Sequence, residues 1–456
     1  MKGKLINILH QKLGIDKAIA YTISTRSTQL LWALFTVYFT TKFLSPHEQG
    51  YAYTFGSILA IQVFFELGFT GIIAQFVAHE ASHLKWTDGY QIEGEDHYKS
   101  RLSSLIHFAI KWYARLAGFL LVALVVSGIF FFQKYNDGSH DIAWKLPWIL
   151  LVIGTSINFI IAPISSFLEG LGKVKEIAKI RFYEQVVSPM IYCGALALGF
   201  KLFVSSFMVL VSIGTFVTLV YKFSLHKYLL SIWKIPVIQR VSYMDEIFPF
   251  QWKIALSWIS GYFIFQLFNP VLFASEGAKV AGQMGLTITA LNSLLGLAYG
   301  WITTKVPTMS GLIAMKKYAQ LDILFNKTLR QIMFVASAVV VSFILVVFVL
   351  QRYDISVFGS HIGTRFLPIL PLAIFSFSIW LQVPINCWAV YLRTHKKEPL
   401  LLNSVLGGIL SCVSALILGK YCGLYGLLFG FLSIQLTIGL IWVYIVFVKK
   451  KKEWHE

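Results

Sequence analysis

Charge is what this sequence has least of. Asp, Glu, Lys and Arg make up 13% of its 456 residues, about half the ~25% of a typical soluble domain and too little to cover a water-facing surface. Cysteine is also scarce. The four present, Cys193, Cys387, Cys412 and Cys422, fall in or beside apolar segments and have neither a metal-ligand nor a disulfide-framework spacing. A Gly-rich nucleotide loop with its Lys, a zinc-type His/Glu cluster and a placed nucleophile triad are all missing. The residues therefore point to no enzyme, no cofactor and no metal. No stretch between apolar runs exceeds about thirty residues, and domains seldom fold below about 40, so an appended soluble catalytic domain is excluded.

What is present is apolar sequence, 57% of the chain. Runs long enough to cross a hydrocarbon core of about 30 Å recur from Tyr21 to Val448. Spans are expected at 18–41, 50–78, 104–132, 146–169, 182–199, 203–221, 248–273, 280–304, 331–350, 366–392, 399–419 and 423–448. The expected fold is all-α: a polytopic integral membrane protein of about twelve transmembrane helices in two six-helix halves, 1–225 and 226–456, joined by a cytoplasmic loop at 222–247. Gly50 and Gly282 hold comparable places, each opening the second span of its half. Lys and Arg outnumber Asp and Glu by 39 to 21. Of the 39, 27 lie in the N-terminal segment, the loops after even-numbered spans and the C-terminal tail, against 8 in the opposite loops. That bias puts both termini in the cytoplasm and accounts for the +18 net charge without a nucleic-acid partner. The segment 1–17 lacks an apolar core with a cleavage site and reads as a retained cytoplasmic segment. Loops 222–247 and 305–330 are expected to carry helices lying along the interface.

An ionisable side chain inside a span is costly and faces a partner or a wet cavity. Arg26 is one. If it lay outside, span one would run only from Leu30 to Lys42, too short to cross. It is either a cation in a water-filled cavity or half of a structural ion pair. Glu66 of span two lies at a similar depth and is the natural partner, in a gating or ion-coupling role, with H+ or Na+ as the coupled ion. His107, Lys111 and Arg115 recur every four residues on one face of span three. They extend the cationic surface, unless Leu116–Phe132 alone spans and the stripe is interfacial. Lys253 can snorkel to the headgroups, while Glu169 and Glu184 read as solvated at the cytoplasmic boundary. Pro270, after Asn269 in span seven, removes a helical hydrogen bond and is a candidate hinge.

Three signatures resemble a known family. They are Phe43-Leu44-Ser45-Pro46-His47-Glu48-Gln49-Gly50 with Phe65-Glu66-Leu67-Gly68-Phe69, then Phe167-Leu168-Glu169-Gly170-Leu171-Gly172-Lys173 closing span four, and the six-plus-six layout of the whole chain. Together these are similar to the polysaccharide and O-antigen flippases of the multidrug/oligosaccharidyl-lipid/polysaccharide exporter superfamily. Departures are Glu66, where members usually have Asp, and Gln49, where an aromatic residue is common. The resemblance implies a bacterial inner-membrane transporter in polysaccharide biosynthesis. It would flip an undecaprenyl-pyrophosphate-linked oligosaccharide from the inner to the outer leaflet by alternating access, among membrane lipids and beside the glycan polymerase and glycosyltransferases of its pathway. In that setting Arg26, with His107, Lys111 and Arg115, would receive the pyrophosphate. The rivals are a multidrug exporter of the same superfamily, whose cationic drugs a basic cavity would repel, a membrane-embedded glycan polymerase or ligase, which would need a larger outer loop than any here, and a non-transporting scaffold.

Overall fold

The computed structural model describes residues 17–87, 90–136, 142–356, 359, 361–395 and 397–455, with the side chains of 17–27, 30, 250, 253 and 297 outside the description. Each of the twelve expected spans lies on helix. Span one is α1 (Lys17–Phe43). Span two is α2 (Pro46–Leu59), continued through Ala60–Gln62 and Val63–Glu66 to α3 (Phe69–Ala81). Spans three to six are α4 (Asp96–Tyr135), α5 (Lys145–Gly170), α6 (Val174–Ala197) and α7 (Phe203–Lys222), followed by the short α8 (Leu225–Trp233). Span seven is α9 (Phe248–Phe265) with α10 (Phe268–Glu276), and spans eight to ten are α11 (Ala278–Ala314), α12 (Tyr318–Arg352) and α13 (Ile369–Thr394). The last two spans share one long helical run, α14 (Leu401–Ile434), a π turn (Gln435–Trp442) and α15 (Val443–His455).

By length and composition, seven helices among the described residues can each cross a membrane, or up to nine if two bent pairs count as spans. The shortfall from twelve has physical causes. The run Leu401–His455 holds two expected spans. They part at Gly423, whose φ of 57° and ψ of −143° leave the helical region. The side chain of Glu276 occupies the space a Cβ would need there, and its Oε1 accepts from Leu424 N at 3.1 Å, capping the new helix. Helix α6 keeps its length but carries Lys175, Glu176, Lys179, Arg181 and Glu184. Span two bends by 41° between Glu66 and Phe69, where Leu67 and Gly68 both take positive φ (50° and 69°).

The chain groups into two compact units, which cut across the halves 1–225 and 226–456. The first holds Met1–Thr36, Gln62–Gln133 and Ala143–Ala255; the second holds Val37–Ile61, Lys134–Ile142 and Leu256–Glu456. In the first unit, Gly170 ends α5 against α3, where a Cβ would stand 2.7 Å from both the Ala74 carbonyl oxygen and Val77 Cβ. Lys173 N then bonds Leu168 O at 3.0 Å, and its Nζ sits 3.9 Å from the Tyr228 ring centre. The Phe167–Lys173 signature therefore closes one helix and fastens its end to α8. Loop 79–103 holds a small antiparallel hairpin, β1 (Leu84–Trp86) with β2 (Ile92–Gly94), which the sequence reading missed. Its Trp86 meets Tyr228 edge-on at 4.6 Å.

In the second unit, α2 begins with a full capping box. Ser45 Oγ accepts from Glu48 N at 3.1 Å and Glu48 Oε2 accepts from Ser45 N at 2.8 Å, with Pro46 in the first turn. Helices α2 and α11 then cross at their paired glycines, where a Cβ on Gly282 would stand 2.8 Å from Gly50 N. Gln49 Nε2 donates across the crossing to Gly282 O at 2.8 Å.

One loop expectation holds in part and one is overturned. Helix α8 lies in 222–247, and its buried Leu225 and Ile232 oppose the open Leu230 and Trp233, as an interfacial helix requires. Segment 305–330 has no separate helix. Helix α11 runs on to Ala314 and α12 starts at Tyr318, because the polar residues there extend the spans as helix on both sides of a short turn.

Candidate functional site: an uncharged cavity at the break in span seven

Span seven is interrupted within its apolar stretch. Pro270 has no N–H to offer the carbonyl of Gln266, so α9 stops at Phe265 and α10 starts at Phe268. Helical bonding resumes when Val271 N reaches Leu267 O at 3.1 Å. Broken helices of this kind are tolerated in a membrane where the freed backbone lines a cavity. One does so here. A cavity of about 370 Å³ opens at the break, walled by α2, α9, α10, α11 and α13 within the second unit.

Its polar lining is made of amides and hydroxyls: Ser57, Gln266, Asn269, Thr289, Asn292 and Ser293. The rings of Tyr53, Phe265, Phe268 and Phe375 complete it, and no charged residue among the described ones lines it. Asn269 is 6% exposed. It donates through Nδ2 to Ser57 Oγ at 3.0 Å, while its Oδ1 has no hydrogen-bond partner. With one partner for two polar ends, either orientation of the amide leaves one end buried and unpaired. A buried polar atom without a partner costs about 1–3 kcal/mol.

Of the residues singled out from the sequence, Glu66, His107, Lys111 and Arg115 do not line the cavity. The side chain of Arg26 is outside the described residues, so its suspected pairing with Glu66 is too. Glu66 is half-buried at the break in span two, ahead of the N-terminus of α3, and accepts from Thr70 Oγ1 at 2.6 Å. A carboxylate is favoured at that end of a helix. His107 stacks on Trp233 of α8 with ring centres 3.8 Å apart, and its Nδ1 meets Ser103 O at 2.8 Å. Lys111 and Arg115 follow it on α4, both exposed. Pro270 borders the cavity through its neighbour Asn269. Among the described residues no group of three His, Cys, Asp or Glu could hold a metal ion.

Glu184 is a correction. Expected to be solvated at the membrane boundary, it is half-buried and accepts from Ser212 Oγ at 3.2 Å. Ser212 lies midway along α7 (Phe203–Lys222), so the packing of α6 on α7 carries Glu184 to mid-span depth. Glu169 pairs with Arg181 at 2.8 Å. The cavity itself was foreshadowed only by polar residues inside apolar runs, Asn269-Pro270 and Asn292-Ser293.

The sequence matches no family model and no curated protein. Solved structures do match. An inward-facing MATE-family multidrug-resistance transporter of the MOP superfamily aligns over 92% of this chain and 99% of its own, at 13% identity and a TM-score of 0.58. The lipid II flippase MurJ, in an inward closed conformation, aligns over 96% and 90%, at 13% identity and a TM-score of 0.60. An outward-facing MATE transporter aligns over 95% and 97%, at 14% identity and 0.56. The chain has the MOP-transporter fold. At such identities the likeness is one of fold alone, and this fold serves both drug transporters and a lipid flippase.

Proposed function

We propose that this protein is a flippase that moves an undecaprenyl-pyrophosphate-linked oligosaccharide from the inner to the outer leaflet of a bacterial inner membrane by alternating access. The observation that carries the reading is the lining of the cavity at the span-seven break, which among the described residues is amide, hydroxyl and aromatic with no charge. Sugars offer hydroxyls that donate and accept, and ring faces that pack on aromatics. Amides, hydroxyls and Phe or Tyr rings suit both. A cationic drug would find no carboxylate there among the described residues. Arg26 is the proposed contact for the pyrophosphate, by the charge-assisted, bidentate pairing that guanidinium makes with phosphate oxygens. Glu66 is the proposed gating or coupling group, with H+ or Na+ as the coupled ion, and the break before Pro270 the proposed hinge. Both termini are placed in the cytoplasm on the loop charge bias.

Leaflet-resolved detection of the lipid-linked oligosaccharide tests this. Cells lacking the gene and any redundant flippase should retain the lipid in the inner leaflet, and the wild-type gene should restore delivery. Asn269→Leu should accumulate normally in the membrane yet slow delivery by roughly tenfold, the worth of one hydrogen bond. Normal delivery in the deletion strain would refute the function. Normal delivery with Asn269→Leu would remove the cavity from the pathway.

A further inference from the structure

The first unit carries a second, smaller cavity of about 280 Å³, a groove walled by Ile106 and Ile110 of α4, Ile164 of α5, and Leu229, Leu230 and Trp233 of α8. Five of the six are aliphatic. Helix α8 presents two faces. Leu225 and Ile232 are buried at 1% and 0%, whereas Leu230 and Trp233 remain 53% and 37% exposed beside the groove. Its depth follows from its walls. Ile164 lies six residues, about 9 Å, from the end of α5 at Gly170, and the stacking of Trp233 on His107 sets α8 level with the start of span three. The groove therefore opens just below the headgroups of the membrane face read as cytoplasmic.

Two cations flank it. Lys111 follows Ile110 on α4 and Lys234 follows Trp233 at the end of α8; both are exposed, and neither has an ion-pair partner among the described residues. Arg115 stands one turn beyond Lys111, also exposed and also without such a partner. An apolar slot at this depth, flanked by cations lacking a protein counterion, matches a lipid with one chain to bury and one net negative charge to place. We propose that the groove seats an acyl chain of an anionic phospholipid whose phosphate is held by Lys111 and Lys234. A zwitterionic lipid carries its own cation and gains little from the lysines. The groove lies at the small end of ligand cavities, which start at about 300 Å³, and so has room for a stretch of a single slender chain. Long lysine stems reach the headgroup level readily from one turn inside the membrane. This assignment gives the His107–Lys111–Arg115 stripe a lipid-facing role and does not depend on the transported substrate.

Lipid binding to the purified, delipidated full-length protein, followed by native mass spectrometry, tests it directly. Dioleoylphosphatidylglycerol should bind more tightly than dioleoylphosphatidylcholine. Each lysine near an anionic headgroup is worth roughly fivefold in affinity. Lys111→Gln with Lys234→Gln should therefore bring phosphatidylglycerol down to the phosphatidylcholine level, and since both side chains are exposed the variant should unfold at the wild-type temperature. Leu230→Gln should weaken both lipids together. Equal affinity of the wild type for the two lipids, or an unchanged preference in the lysine variant, would overturn the proposal. So would displacement of phosphatidylglycerol by a lower concentration of undecaprenyl phosphate, which would make the groove a substrate entry site instead.

Discussion

Arg101 holds together the base of the first unit, and its removal has a calculable consequence. Its Nε donates to Glu80 Oε1 at 3.0 Å, while Nη2 and Nη1 donate to Glu246 Oε2 and Oε1 at 2.6 and 3.3 Å. Glu246 also accepts from Ser242 N at 2.9 Å, so the fork fastens segment 235–247 to α4. The neighbouring serines add to this. Ser100 Oγ accepts from both Ile238 N and Gln239 N at 2.8 Å, and Ser103 Oγ donates to Ile235 O at 2.8 Å. The two carboxylates differ in burial. The Glu80 side chain is 2% exposed and its Oε2 already lacks a partner, whereas Glu246 is 33% exposed. The guanidinium holds the Glu246 carboxyl below the ordinary range. Stranding one member of a buried pair costs about 3–5 kcal/mol, while a solvent-screened pair is worth about 0–1 kcal/mol. Arg101→Gln should therefore destabilise by about 3 kcal/mol, almost all through Glu80. Glu246→Gln should cost less than about 1 kcal/mol. The double variant Arg101→Met with Glu80→Met should recover most of the loss, because no buried charge is left alone. Thermal unfolding in detergent ranks the variants, and amide exchange over 235–247 reports the strap. If Arg101→Gln and Glu246→Gln unfold together, or the double variant is no better than Arg101→Gln, the burial argument fails.

Two further outcomes are expected. The C-terminal helix should loosen in acid. His455 Nδ1 lies 3.8 Å from Asp322, whose other contacts are Lys451 at 3.0 Å and the Tyr391 hydroxyl at 2.7 Å, and His395 Nδ1 meets Tyr391 O at 3.1 Å. Burial holds both histidines below their usual value. The undocked form then takes up protons first, so docking is complete above about pH 6.5 and weakens as the pH falls below it. Amide exchange over Val443–His455, corrected for intrinsic rates, should rise between pH 7.5 and 5.5; constant protection would contradict the sign. Gly50→Val should drive a side chain into the Ala278 carbonyl where α2 meets α11. It should cost about 1–3 kcal/mol or more, and wild-type thermal stability would show that the crossing is looser than described.

The helices were legible in the sequence, and the reason is the solvent. In hydrocarbon every backbone N–H and C=O must be paired within its own segment, so the length and apolarity of a run decide where helix forms. The break before Pro270 was likewise written locally, in a residue with no N–H to continue the helix, whereas the bend at Leu67-Gly68 was not foreseen. The signature Phe167–Lys173 could be found in the sequence, but its work could not, since Gly170 is required by α3 and Lys173 by Tyr228 of α8.

Depth and neighbourhood belong to the tertiary structure. Glu184 looked solvated because a sequence shows only its distance from Arg181, whereas its level in the membrane depends on the register of α6 against α7, which sets it opposite Ser212. That His107 stacks on Trp233 could not be read from the sequence, because α8 brings the indole over it. The cavity at the span-seven break is the clearest case. Ser57 and Asn269, 212 positions apart, share a hydrogen bond there because Gly50 and Gly282 let α2 and α11 approach backbone to backbone. Hydropathy records how far each helix reaches. Which polar side chains end up facing one another is set by how closely the helices pack, and a missing Cβ decides that only once its neighbour is in place.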